Sequence, residues 1–197
     1  MLARPGLADS ERISLLQAQA EMSWNEGDYT ASRAHRRVRV DALGRRFPFG
    51  ARAAIADWIL LEAITAGDEF GRSLVSGLEQ YPPPDRRAAL ADEYVSRAEA
   101  IGRGWVTADP NDPLEWLGRA YALLEGAGPR IELWLLHWRL ARQFTARGNL
   151  AQGKLHWDAA RKRLFLECET LPNVHAKELY LGTALAKRFL LELPSAP

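Results

Sequence analysis

The chain has 197 residues, of which 47% are hydrophobic and 26% are charged, and its net charge is +1. This length and composition predict one ordered domain or one short helical array, and they exclude a disordered chain. The single cysteine, Cys168, excludes an internal disulfide and any metal site built from several thiolates.

The sequence shows no sign of a membrane or a secretory segment. No apolar stretch reaches the roughly 20 residues that span a bilayer. The first residues, MLARPGLADSER, contain no signal-peptide core. We therefore expect a cytoplasmic protein. Arginine far outnumbers lysine, a bias typical of high-GC bacterial genomes.

The first elements are predicted from helical periodicity and from caps. Ala, Leu, Arg and Glu fill long stretches at helical spacing, and alternating runs of β-branched residues are missing. The pattern predicts an all-α protein of about nine helices. Asp9 or Ser10 caps a first helix that ends near Trp24, and Asp28 caps a second helix that runs to about Gly44.

Glycine and proline divide the middle of the chain. A third helix runs through RAAIADWILLEAITA to Gly67, and Asp68 begins a fourth. Three prolines in YPPPD, at 81–85, interrupt the pattern because they forbid helix before them and favour a first turn after them. A fifth helix then runs to about Arg103.

Four further helices are predicted in the last part of the chain. They lie at 109–124, from about Pro129 to Arg147, from there to about Glu169, and from about Pro172 to Leu193. Short connections predict that successive helices form antiparallel hairpins. The predicted organisation is a flexible N-terminus at 1–8, one helical-repeat domain at 9–193 and a C-terminal tail at 194–197.

Small and large residues recur in three of these segments. The first contains Leu16, Ala20, Gly27 and Ser32; the second contains Leu114, Leu117, Gly118 and Tyr121; the third contains His137, Leu140, Ala141, Phe144, Gly153, Trp157 and Ala160. In the first and third segments, two small residues lie 12 positions apart, Ala20 with Ser32 and Ala141 with Gly153. This spacing places them opposite each other where two helices of a hairpin cross.

These motifs resemble the tetratricopeptide repeat (TPR) family, whose pattern is W-x2-L-G-x2-Y followed by Ala and Ala-x3-Phe. The resemblance implies antiparallel hairpins stacked as a right-handed solenoid. The sequence departs from it at Gly118, because the position 12 residues later is Arg130, and at 51–80, which has no clear register. A compact antiparallel bundle is the alternative, since it also places small residues at helix crossings.

The resemblance implies a protein-interaction module that binds a peptide or partner helix on its concave face. In the family register, the positions facing this groove are Gln17, Glu21, Trp24, Glu115, Arg119, Trp138 and Arg142. Trp and Arg dominate interface energies, so the predicted partner-binding residues are Trp24, Arg119, Trp138 and Arg142. The tryptophans are equally suited to a core. The lysines and asparagines of the family's carboxylate clamp are missing at these positions.

Charge is segregated along the chain and suggests a second function. Residues 29–52 hold seven arginines against one acid, residues 53–128 hold thirteen acids against six arginines, and residues 129–163 hold eight basic residues against two acids. Arg33, Arg36 and Arg37 share one helical face, either a solvated outer face or a basic patch that contacts phosphate. The alternative function is therefore a nucleic-acid-associated or transcription-linked regulator. Self-assembly through the end hairpins is a third.

Catalytic and metal-binding patterns are weak. Across the predicted hairpin, His137 and His156 can approach, whereas a rise of 1.5 Å per residue places His175 about 16 Å from His156. Two histidines without a third ligand do not indicate a metal site. The sequence has no nucleophile elbow, Walker loop, dinucleotide fingerprint or HExxH motif. We expect no enzyme, no metal and no cofactor.

Overall fold

The computed structural model describes residues 9–65, 68–84, 86–106, 108–125 and 132–192. Within these ranges the regular structure is ten α-helices without a strand. They are α1 (Asp9–Asn25), α2 (Tyr29–Arg46), α3 (Pro48–Thr65), α4 (Asp68–Leu78), α5 (Arg87–Gly102), α6 (Pro113–Leu124), α7 (Glu132–Ala146), α8 (Leu150–Thr170), α9 (Val174–Leu181) and α10 (Ala184–Glu192). In the part of the chain described, no helix has the length and apolar character needed to cross a membrane.

The all-α prediction is confirmed, and the number of helices differs by one. The single last helix predicted at 172–193 is two helices, α9 and α10, separated by Gly182 and Thr183. Glycine is a poor helix former, and the Thr183 hydroxyl accepts a hydrogen bond from the Ala186 N–H, which starts a new helix. The predicted ends at 1–8 and 194–197 and the predicted helix start at 129–131 lie outside the described residues.

Short turns with capped helices form the α1–α2 and α7–α8 hairpins. The predicted cap Asp28 accepts a hydrogen bond from the Ala31 N–H at 2.9 Å, and Asn149 caps α8 in the same way through the Gln152 N–H. Each turn contains a glycine with positive φ, 83° at Gly27 and 77° at Gly148, a conformation that a side chain disfavours. These turns return the chain along the preceding helix.

The small residues lie where the helices of these hairpins cross. The Ser32 hydroxyl donates a hydrogen bond to the Ala20 carbonyl at 2.8 Å. A Cβ atom added to Gly153 would lie 2.5 Å from the Thr145 hydroxyl and 3.5 Å from the Ala141 carbonyl oxygen. The close approaches predicted from the 12-residue spacing are therefore confirmed at both crossings.

The α6 helix belongs to a different hairpin from the one predicted. It packs most extensively on α5, which precedes it, and less on α7. Leu117 and Ala120 of α6 share a buried cluster with Ala91 and Val95 of α5. In the register of the TPR pattern, 109–124 is the first helix of a hairpin, and this prediction is wrong, because the apolar face of α6 is already covered by α5.

Ion pairs join the charge blocks of the sequence to one another. Arginines of 29–52 contact acids of 53–128, as do arginines of 129–163. The pairs are Arg33–Glu62, Arg36–Asp57, Arg52–Glu93, Arg139–Glu99 and Arg147–Asp112. The segregation of charge along the chain therefore corresponds to contacts between helices.

Candidate functional site

A cavity of about 270 Å³ lies between α1, α3, α7 and α9. Its walls are mostly apolar and are formed by Trp24, Leu61, Trp134 and Leu135. Its polar groups come from Glu21, Asn25, Arg36, Asp57, Tyr180 and Thr183. We call it the apolar cavity.

Hydrogen bonds and ring contacts fix the walls of the apolar cavity. Trp134 donates through Nε1 to the Tyr180 hydroxyl at 3.0 Å, and that hydroxyl donates to Glu167 at 2.7 Å. Burial, followed by the bond to Glu167, raises the pKa of Tyr180, so its hydroxyl keeps its proton. Trp24 packs edge-on against Tyr29 with ring centroids 4.9 Å apart. The walls of the cavity are therefore held in place by contacts within the protein.

Arg36 is the cation in the wall of the apolar cavity. It is buried, and its Nη1 donates to Asp57 Oδ2 at 2.9 Å. Its Nε has no acceptor among the described residues. Asp57 itself is half exposed, so this ion pair joins the interior of the cavity to its rim.

A second depression lies between α5 and α7 and extends to α3 and α10. Its larger part has a volume of about 160 Å³. Its charged lining is Glu99, Arg103, Arg139, Arg142, Arg188 and Glu192, and Trp138 forms part of its wall. We call it the arginine cleft. Four guanidinium groups face two carboxylates there, so the lining carries an excess of positive charge.

Three of the four arginines in the cleft have close partners. Arg139 is buried, with its Nε 3.0 Å from Glu99 Oε1, and burial lowers its pKa. Arg103 donates to the Ala63 carbonyl. Arg188 donates to Glu192 Oε1 at 2.5 Å.

Arg142 differs from these three. Its side chain is 42% exposed, and the nearest carboxylate oxygens lie 4.0 Å away on Glu99 and 3.7 Å away on Glu192. No acceptor in the described ranges forms a hydrogen bond with its guanidinium. Glu192 already accepts from Trp138 Nε1 at 3.0 Å as well as from Arg188. Arg142 is thus left with its donors open to the cleft.

The α7 helix links the cavity to the cleft. Trp134 lines the cavity, and Trp138 lines the cleft one turn later, with the two rings stacked at 6.2 Å between centroids. The Arg142 guanidinium lies 5.9 Å from the Trp138 ring centroid. Residues four apart on a helix lie on one face, so these three side chains form one row.

Three of the four predicted partner-binding residues lie at these two depressions. Trp24 lines the apolar cavity, and Trp138 and Arg142 line the arginine cleft. The two tryptophans are only 6% and 2% exposed, so they form walls and are not projecting side chains. Arg119 lies elsewhere, on α6, where it contacts Glu115 at 2.8 Å.

The predicted basic patch does not form one free cationic surface. Arg33 donates twice to buried Glu62, at 2.9 and 2.6 Å, and this hydrogen bonding raises its pKa. Arg36 is buried against Asp57, and only Arg37 is exposed. Arg37 differs from Arg33 and Arg36 because the helical face that bears Arg33 and Arg36 packs against α3.

Several residues of the two depressions were missed from the sequence. Trp134 could have been found, because it lies one helical turn before Trp138 on the same face. Tyr180, Arg188 and Glu192 could not, because they belong to α9 and α10, which were predicted as one helix. The repeat register placed α6 in the groove, and it therefore also missed Glu99 on α5.

The predicted approach of His137 and His156 is confirmed, with the two Nδ1 atoms 2.9 Å apart. One nitrogen must donate and the other accept, so the accepting ring must be neutral and the contact is lost when both rings are protonated. Burial lowers the pKa of His137 to about 4, with a further contribution from His156. In the described ranges, no three His, Cys, Asp or Glu side chains are grouped to hold a metal ion.

Comparisons of the chain with family models, with curated proteins and with solved structures find no match. The two depressions are therefore the features of the described residues that bear on function. The apolar cavity offers space for an uncharged side chain, and the arginine cleft offers hydrogen-bond donors for an anionic group.

Proposed function

We propose that this protein is a TPR-like interaction module that binds a peptide or partner helix of another protein across the apolar cavity and the arginine cleft. The proposal rests on which helices line the two depressions. The cavity is lined mainly by α1, α3, α7 and α9, with Arg36 from α2, and the cleft mainly by α3, α5 and α7, with Arg188 and Glu192 from α10. The odd-numbered helices thus supply most of the lining of both depressions.

Such a surface is expected of a helical array. In the proposed array, the hairpins are α1–α2, α3–α4, α5–α6, α7–α8 and α9–α10, and the first helix of each faces the same side. The extensive contacts within α1–α2, α5–α6 and α7–α8 support this arrangement, as do those of α3 with both α2 and α5. The close helix crossings at Ser32 and Gly153 support it further.

The dimensions of the apolar cavity favour a side chain as its occupant. Pockets for drug-sized ligands have volumes of roughly 300–1,000 Å³, and this cavity lies just below that range. One large apolar side chain of a partner fits the space. Because Trp24 and Trp134 are already fixed, binding does not require the protein to order these walls.

A nucleic-acid-binding function has less support. Phosphate binding requires cations that are free to replace counterions. Two of the three patch arginines, Arg33 and Arg36, are instead neutralised by acids of α3. Retention on DNA or RNA that weakens with salt and is lost on replacing Arg37 would favour this alternative.

The test is selection from a displayed library of random peptides. Asn25 is exposed and lines the apolar cavity, so Asn25→Trp places a bulky ring in the cavity without removing a core residue. Glu26→Trp is the matched control, because Glu26 is the exposed neighbour that does not line the cavity. We expect peptides that bind the wild type and Glu26→Trp but not Asn25→Trp. Absence of enriched peptides, or equal binding to all three proteins, would overturn the proposal.

A further inference from the structure

We infer that the bound segment is extended and carries a carboxylate side chain that pairs with Arg142, about four residues away from an apolar side chain in the apolar cavity. This inference rests on the proposed function and specifies its partner. It assigns the acidic residue to the arginine cleft and the apolar residue to the space between Trp24 and Trp134.

The charges of the cleft identify the missing group as an anion. Its two carboxylates already have partners, since Glu99 pairs with Arg139 and Glu192 accepts from Arg188. Arg142 lies 3.7 Å or more from either of them. A partner oxygen would give Arg142 the hydrogen bonds that it lacks in the free protein.

The guanidinium geometry favours a carboxylate. A planar guanidinium binds a planar carboxylate through two parallel hydrogen bonds, and such charge-assisted bonds are among the strongest in proteins. Glu99 and Glu192 lie within 4.0 Å of Arg142 and offset part of the positive charge of the cleft. We therefore assign a carboxylate monoanion, Asp or Glu, as the acid of the partner, and a phosphate is an outcome of the test.

The spacing follows from the row of side chains on α7. The step from Trp134 to the Trp138 ring is 6.2 Å, and the step from that ring to Arg142 is 5.9 Å. An extended strand advances about 3.3 Å per residue, so about four residues span both steps. A helical segment rises only about 1.5 Å per residue and would need about eight residues for the same span. For an extended segment, the expected partner motif is an apolar residue followed or preceded by an acid about four positions away.

The test uses fluorescein-labelled nonapeptide mixtures with Phe at the central position and Glu, Gln, Lys or phosphoserine four positions away in either direction. Their Kd values are measured by fluorescence anisotropy. We expect the Glu mixture to bind about 10- to 100-fold more tightly than the Gln mixture, as a charge-assisted hydrogen bond requires. Phosphoserine should bind more weakly than Glu, and Lys most weakly.

With Arg142→Gln, the Glu and Gln mixtures should bind with about equal Kd values, because neither mixture then meets a charged donor. Arg142→Lys should keep part of it. Arg147→Gln is the matched control, since Arg147 is 40% exposed, lies near the end of α7 and pairs with Asp112 outside the cleft. It should retain the preference. Thermal unfolding of each variant checks that it is folded.

The outcomes separate the two proposals. Equal binding of Glu and Gln mixtures to the wild type, tighter binding of phosphoserine or Lys, or a Glu preference retained in Arg142→Gln would overturn this inference while leaving a peptide-binding function. Failure of every mixture to bind would overturn the proposed function as well.

Discussion

Two arginine networks in this protein use the same chemistry and differ in how completely they are paired. Between α3 and α5, Arg52 donates twice to Glu93 at 2.8 Å and once to the Tyr81 carbonyl at 2.5 Å. Arg97 donates to the same Glu93 at 3.1 Å. Between α5 and α7, by contrast, Arg142 has no hydrogen-bond partner within the described ranges. The first network holds helices together, and the second leaves the Arg142 guanidinium partly exposed.

Burial accounts for the difference. The Glu93 side chain is 3% exposed, and a charge so far from water requires complete pairing. Burial alone raises the pKa of Glu93, but the hydrogen bonds and charges of Arg52 and Arg97 outweigh it and hold the pKa below its usual range. The Arg142 side chain is 42% exposed and can be hydrated, so its incomplete pairing costs the folded protein little stability.

The largest expected effect is the loss of the buried partner. Glu93→Gln should lower the free energy of unfolding by about 3–5 kcal/mol, because it leaves buried Arg52 with only the exposed Glu79 carboxylate, 3.8 Å away, as a counter-charge. Urea unfolding at pH 7 measures this value. Glu79→Gln is the control, since Glu79 is 60% exposed, and it should cost less than about 1 kcal/mol. Similar losses for the two variants would contradict the assignment of Glu93 as the structural acid.

The α7–α8 hairpin should be weakened by acid, unlike α1–α2, whose crossing is a hydroxyl–carbonyl bond. His137 has a pKa of about 4 in the folded protein against an ordinary value of 6.5, so the unfolded chain binds the proton more readily between these values. Stability from neutral His137 is therefore lost as pH falls from 6.5 towards 4.

Between pH 7.5 and 4.5, this loss should be roughly 2–3 kcal/mol. Urea unfolding at the two pH values gives the drop in the free energy of unfolding for each protein. The contribution of His137 is the drop in the wild type minus the drop in His137→Gln. His175→Gln removes an exposed histidine and should behave as the wild type. An equal pH dependence in wild type and His137→Gln would show that the pair does not control the hairpin.

The helix crossing at Gly153 should tolerate no bulk. Gly153→Val should lower the free energy of unfolding by about 1–3 kcal/mol, because its side chain meets Thr145 and the Ala141 carbonyl. Gly118→Ala is the control, since no atom lies within 4 Å of the added Cβ, and it should stabilise α6 by about 0.5–1 kcal/mol. A Gly153→Val protein as stable as wild type would argue against the close crossing.

The smallest expected change in stability is at the cleft itself. Arg142→Gln should alter the free energy of unfolding by less than about 1 kcal/mol, because the ion pairs it removes are long and hydrated. The same urea series measures it beside Glu93→Gln. A loss comparable with that of Glu93→Gln would show that the two networks serve the same structural purpose.

Local signals in the sequence predicted local structure. Asp28 caps a helix because its carboxylate lies three residues from a free N–H, and Ala141 meets Gly153 because a short turn fixes the register between them. The same register placed His156 beside His137. The split at Gly182 was missed because one glycine and one threonine are a weak interruption of a helical pattern.

Contacts between distant parts of the chain were not predictable in this way. Trp24 and Trp134 share a cavity although more than a hundred residues separate them. The basic patch was predicted from one helix, whereas its charge depends on Glu62 and Asp57 of the next. Helical periodicity indicates which face of a helix is polar, and it does not indicate which acid will neutralise that face.

Photo-crosslinking is the most direct test of whether the cavity and cleft form one binding surface. A nonapeptide from the Glu mixture, with photo-leucine replacing Phe, is irradiated with the protein, and the adduct is located by mass spectrometry. We expect adducts at Leu61 or Leu135 that are lost in Asn25→Trp and reduced in Arg142→Gln. Adducts at the exposed Leu155 or Phe165 of α8, unaffected by either substitution, would contradict the account.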